Sequence, residues 1–205
     1  VSLPLLKRVD GTLDLGANPI LTSVTLTALQ VVGTHLFLGS NNLTGPLSFP
    51  ALVSVGSAGN GDLQTQSNPL LTSVSCPLLT SVAAILQIGM NNSLTSVSFP
   101  LLQSVGNLLF WELDPVLTTI SFPSLTSAAG GIIGDQCTLL QSISFPLLGN
   151  LPAFGIDCHG CPTMTSVTFP NVTFAANTSI FFNGNALTAA SINLILARGV
   201  ASATT

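Results

Sequence analysis

Charge is what this chain has least of. Only 5% of its 205 residues are Asp, Glu, Lys or Arg, against about 25% in an ordinary soluble domain. The three basic residues, Lys7, Arg8 and Arg198, stand near the two ends. Phosphate backbones are gripped by clustered Lys and Arg, so a nucleic-acid partner is not expected. Histidine is scarce as well, with two residues, and no set of nucleophile, base and orienting group emerges, so neither an enzyme nor a cofactor is expected. Long apolar runs are missing too. Mean hydropathy is high at +0.69, yet Ser and Thr break every apolar stretch short of the ~18 residues of a spanning helix, so membrane insertion is not expected. A neutral Ser/Thr/Gly/Asn coat suits an extracellular, cell-surface or virion-exposed protein.

What the chain has is a repeat. The phrase L-T-S-V-S-F-P-x-L-x-S-V returns with its anchoring position at Pro4, Thr27, Pro50, Pro77, Pro100, Pro123, Pro146 and Pro170, in steps of 23, 23, 27, 23, 23, 23 and 24 residues. Such a unit cannot bury its apolar face alone and is stable only when stacked on its neighbours, so the period predicts a solenoid of about eight coils. Residues 1–185 form this array. Residues 186–200 leave the repeat with apolar positions near helical spacing, Thr188 as N-cap and Gly199 as C-cap, and are expected to form a capping helix. Residues 201–205 are a tail.

Two extended segments are legible in each unit. The first, as in Leu94–Phe99, is ended by Pro, which has no N–H for a continuing ladder. The second is L-x-L-x-x-N, as in Leu36-Phe37-Leu38-Gly39-Ser40-Asn41. Alternation sends its two Leu inward and the residue between them outward. The column Asn18, Asn41, Asn68, Asn91 and Asn185 then has a physical task, because a buried amide can satisfy backbone groups at each bend.

This motif resembles a leucine-rich repeat. The added L-T-S-V-x-F-P-x-L-x-S-V-G is similar to the BspA-like class of 23-residue repeats and to receptor L-domain solenoids. The resemblance implies a right-handed solenoid with a parallel sheet on one face, used in adhesion, reception or wall structure. The two-strand template suggests a second sheet.

In such a stack, function resides in columns. The outward position of L-x-L reads Asp14, Phe37, Gln64, Gln87, Phe110, Ile133, Asp157 and Phe181; the next reads Gly16, Gly39, Gln66, Gly89, Glu112, Asp135, His159 and Asn183. Exposed Phe and Gln suit recognition, since aromatic rings supply contact energy and stack on sugars. The candidate ligand-binding set is Phe37, Gln64, Gln87, Phe110, Glu112, Asp135, Asp157, His159 and Phe181. Glu112, Asp135 and His159 fall on consecutive coils, with Asp157 and Asp114 nearby, and could serve as metal ligands or as a solvated polar face.

Cys137 and Cys161 fall on the Asn column and Cys158 on an inward Leu position. Buried structural thiols are expected, with a Cys137–Cys161 disulfide or a zinc site as alternatives. Cys76 replaces the Phe before Pro77, and Gly134 is expected to make room for Trp111. The seven residues from Gly56 to Asp62 contain an insertion of four and are expected to form a flexible edge loop.

The sequence therefore points to a non-enzymatic adhesion or recognition module whose L-x-L-x-x-N face meets a surface glycan or a protein receptor. The alternative is a structural, filament-forming or ice-binding solenoid that works through Ser/Thr ladders such as Thr72, Thr95 and Thr118. An exposed parallel edge at Val1 would favour end-to-end self-association.

Overall fold

A computed structural model describes residues 1–57, 59–152 and 154–191. The chain is a parallel β-solenoid of about seven turns. In the sheet built from the L-x-L strands, eight strands run from Leu13–Asp14 to Ile180–Phe181 in sequence order. Leu36, Leu63, Leu86, Leu109, Ile132 and Ile156 are register partners coil by coil, so the sequence period is the distance around one turn.

The T-S-V-S segments form a four-stranded parallel sheet over Thr44–Ser48, Leu70–Ser75, Ser96–Ser98 and Thr119–Ser121, and a separate pair over Ser142–Ser144 and Ser166–Thr168. There is also a sheet that the two-strand template did not anticipate. The L-x-S-V segment gives eight two-residue strands, from Arg8–Val9 to Thr173–Phe174, paired in register as in Ser54↔Ser81 and Ser104↔Ser127. Two residues are too few to show alternation, yet in a stack each needs only its two neighbours to complete a ladder.

The core is the space these sheets enclose. Leu36, Leu38, Leu63, Leu86, Ile88, Leu109, Trp111, Ile132, Ile156 and Cys158 fill it from the L-x-L side. From the other side the residue before each Pro builds an aromatic file. Phe99 and Phe122 stack at 5.5 Å, Phe122 and Phe145 at 6.1 Å, and Phe145 and Phe169 at 6.2 Å, with ring planes within 13° of parallel. Cys76 takes this slot on the coil before Phe99 and is fully buried, as expected.

Threonine hydroxyls fasten the coils from outside. Thr95 Oγ1 donates to Thr72 O at 3.0 Å, Thr118 Oγ1 to Thr95 O at 3.1 Å and Thr126 Oγ1 to Gln103 O at 2.9 Å. In the insertion, Ser57 and Asn60 form an antiparallel bridge with reciprocal N–H to O bonds of 3.1 and 3.0 Å. At the far end, Ser191 N–H donates to Thr188 Oγ1 at 3.2 Å, which is N-cap geometry. The rest of the expected capping helix and the 201–205 tail lie outside the described residues. Among the described residues, no helix is long and apolar enough to cross a membrane.

Candidate functional site

The outward column of the L-x-L sheet is continuous. Asp14, Phe37, Gln64, Gln87, Phe110, Ile133, Asp157 and Phe181 are successive register partners. The aromatic members differ in exposure: Phe181 is 49% exposed, whereas Phe37 and Phe110 are half-buried among their column neighbours. The expectation of three exposed Phe is corrected to that extent. Close stacking of coils is the reason, and Gly89 shows it in the adjoining column: a Cβ there would collide with the Glu112 backbone.

Of the column Glu112, Asp135 and His159, the last two come together, and Asp157 joins them at the histidine. His159 Nδ1 lies 2.6 Å from Asp157 Oδ1, and Nε2 lies 3.6 Å from Asp135 Oδ2. One imidazole on one coil is thus held by the carboxylate two residues before it and faces a second on the coil before. The hydrogen bond to Asp157 is the main cause that raises the His159 pKa above its ordinary value; burial opposes it, and the charges of Asp157 and Asp135 add to the rise. Glu112 is raised as well, by burial first and then by Asp135. Asp135 itself is 92% buried, and its Oδ1 has no hydrogen-bond partner.

Among the described residues no group of three or more His, Cys, Asp and Glu has a geometry that could hold a metal ion. Asp135, Asp157 and His159 form a polar cluster on the outer face, with Glu112 beside Asp135. The thiols lie apart from this cluster: Cys158 and Cys161 are fully buried, while His159 between them is partly exposed.

Asp114 does not join this cluster. It is fully buried and occupies the Asn column, one coil after Asn91. That column works as anticipated. Asn41 Nδ2 donates to Leu38 O at 2.8 Å and to Leu15 O at 2.9 Å, while its Oδ1 accepts the Asn18 N–H at 2.8 Å. Asn68 Nδ2 donates to the carbonyls of Thr65 and Leu38, both at 3.0 Å, and Asn91 Oδ1 accepts the Asn68 N–H at 2.8 Å. Asn185 Oδ1 accepts from Cys161 N–H at 2.7 Å.

Cys137 and Cys161 are free, buried thiols that take over both tasks of the amide. Cys161 Sγ accepts the Cys137 N–H at 3.3 Å, and Cys137 Sγ donates to Trp111 O at 3.2 Å. Hydrogen bonding to Cys161, followed by burial, raises the Cys137 pKa far above that of an ordinary thiol.

Two features escaped the sequence reading. Immediately before the Asn column runs a file of left-handed residues: Ala17, Ser40, Ser67, Met90, Leu113 and Gln136 have φ from 54° to 63°, and Gly160 and Gly184 continue it. Met90, Leu113, Gln136 and Gly160, with Pro115 and Thr138, line an open corner groove of about 500 Å³. The other feature is a polar chain on the second and third coils. His35 stacks on Phe37 at 4.9 Å and its Nδ1 lies 3.3 Å from Asp62 Oδ2, while Gln64 Nε2 reaches the same oxygen at 3.4 Å. Reading one position earlier along the L-x-L column places His35 beside Asp62, which is the signal that would have found it.

No protein-family model, no curated protein and no solved structure matches this chain.

Proposed function

We propose that this chain is a non-enzymatic recognition or adhesion module that binds a glycan or a protein receptor through its L-x-L face, in an extracellular, cell-surface or virion-exposed setting. The observation that carries the reading is the outward ladder Phe37–Gln64–Gln87–Phe110–Ile133, which runs over five coils in register. Its first four members present an amide or a ring every ~4.8 Å, and Ile133 adds an apolar side chain. Amides can exchange hydrogen bonds with hydroxyls, and ring faces suit sugar rings or apolar side chains. The His35–Asp62 and His159–Asp157 pairs add polar anchors at two levels of the same face. The bonding of the Asn and Cys rungs also supports reading the repeats as leucine-rich units of the BspA-like or receptor L-domain kind.

The hydroxyl ladder has less support as a working face, because Thr95 and Thr118 already donate to carbonyls of the preceding coil. The test is a glycan array and a cell-surface binding assay with the wild-type chain and with Phe181→Ser, Phe110→Ser and Gln87→Lys. Capture lost in these variants at unchanged melting temperature supports the reading. Capture that survives all three overturns the face assignment, and no capture by the wild type favours a structural rod.

A further inference from the structure

One rung of the Asn column breaks the pattern of its neighbours. Asp114 Oδ1 accepts the Asn91 N–H at 2.8 Å, just as an amide oxygen would. Its second oxygen, Oδ2, is buried and has no hydrogen-bond partner. In the Asn18, Asn41, Asn68 and Asn91 rungs this second atom is an amide nitrogen that donates to the carbonyl three residues earlier. Cys137 preserves the donor with its thiol. An ionised carboxylate has no donor at all, and it would set a charged oxygen where the other rungs set an N–H, toward the carbonyls of this bend.

We infer that Asp114 stands in the ladder as a neutral carboxylic acid with its proton on Oδ2, and that loss of this proton is a pH-sensitive switch that loosens the coil carrying Trp111. The charged and titratable surroundings agree. On its own coil Asp114 faces Glu112, which opposes a second negative charge. From the following coil it meets the neutral thiol of Cys137, and from the preceding coil the uncharged Asn91. The nearest Lys and Arg among the described residues, Lys7 and Arg8, lie four coils away, about 19 Å along the stack. Burial is the largest cause of the resulting shift. The Asn91 N–H pulls in the opposite direction and Glu112 adds to the rise, and the group is pushed up from 3.8 to about 7.

The sign follows from linkage. A carboxyl with a raised pKa in the folded state stabilises the fold fully below its unfolded value, and that stabilisation is lost as pH rises through the folded value. Between pH 4 and 8 the unfolding equilibrium constant should rise roughly several hundredfold through this group alone.

Asp114→Asn restores the missing donor at equal size. Trp111, the only tryptophan, sits three residues away and reports on this coil. The wild-type chain should lose stability in urea from pH 5 to 8, with a change in Trp111 emission centred near neutral pH. Asp114→Asn should show flat emission over that range and exceed the wild type in stability at pH 8. Glu112→Gln should keep the transition, moved to lower pH. Identical pH profiles for wild type and Asp114→Asn would overturn the inference. Should Asp114→Asn fail to fold, infrared titration of Glu112→Gln decides: a carboxylic acid C=O band that persists at pH 6 supports the neutral Asp114, and its absence at that pH overturns it.

Discussion

Gly134 lies flush against the indole of Trp111 on the preceding coil, so that a Cβ placed there would overlap Cε2, Cζ2 and Nε1 of the ring. The largest side chain in the core is thus accommodated by the smallest residue, one coil on. Gly134→Ala should destabilise the fold by about 1–3 kcal/mol through overpacking, with a red shift of Trp111 emission as the indole is displaced. A melting curve indistinguishable from wild type would show that the ring has room to move.

The amide ladder should be costly to interrupt at its centre and inexpensive to interrupt at its end. Asn68 is fully buried and serves several backbone groups, whereas Asn18 is exposed. Asn68→Ala should cost about 2–4 kcal/mol, since unsatisfied buried groups carry their full desolvation penalty, and Asn18→Ala well under half of that. Chemical denaturation of the two variants side by side measures the ratio.

Leu113 has φ of 59° and is 40% exposed, so little burial offsets the strain of a left-handed conformation. Leu113→Gly should be neutral or stabilising by up to about 1 kcal/mol, and Leu113→Val should destabilise by about as much, since a β-branched side chain tolerates this region least. Thermal melts that rank Val above Gly would contradict the strain argument.

His159 should lose its elevated pKa in Asp157→Asn, because the hydrogen bond from that carboxylate is the main cause of the elevation. A histidine whose folded pKa is raised contributes stability in full below about 6.5, and loses it as pH rises through the folded value. NMR titration of the imidazole checks the first statement. A value unmoved by the substitution would assign the rise to Asp135 instead.

The parts of this molecule that were legible in advance are those carried by side-chain identity at fixed spacing. L-x-L-x-x-N located both the inward Leu file and the Asn rungs, and the outward column from Asp14 to Phe181 matches the register residue for residue. The Ser-Val sheet was not legible, because L-x-S-V sets its two apolar residues three apart and shows no alternation, whereas L-x-L does. The left-handed corner was hidden for a related reason. Ala17, Ser40, Ser67, Met90, Leu113 and Gln136 include neither Gly nor Asn, the residues that normally advertise positive φ, and the conformation is imposed by the turn geometry of the stack. Asp114 resembles the outer carboxylates in residue type, although its 23-residue step from Asn91 sets it on the Asn column.

The in-register ladders have a mechanical consequence. In the two eight-stranded sheets each inner strand is paired with its counterparts one coil before and after, and all four cysteines are free, so no disulfide links one coil to another. Tension applied along the axis would therefore be met coil by coil, and each coil that gives way would release about 80 Å of extended chain from its 23 residues. The stack would respond to pulling as a series of discrete, near-equal extensions, which is the behaviour of a shock absorber with as many stages as there are turns.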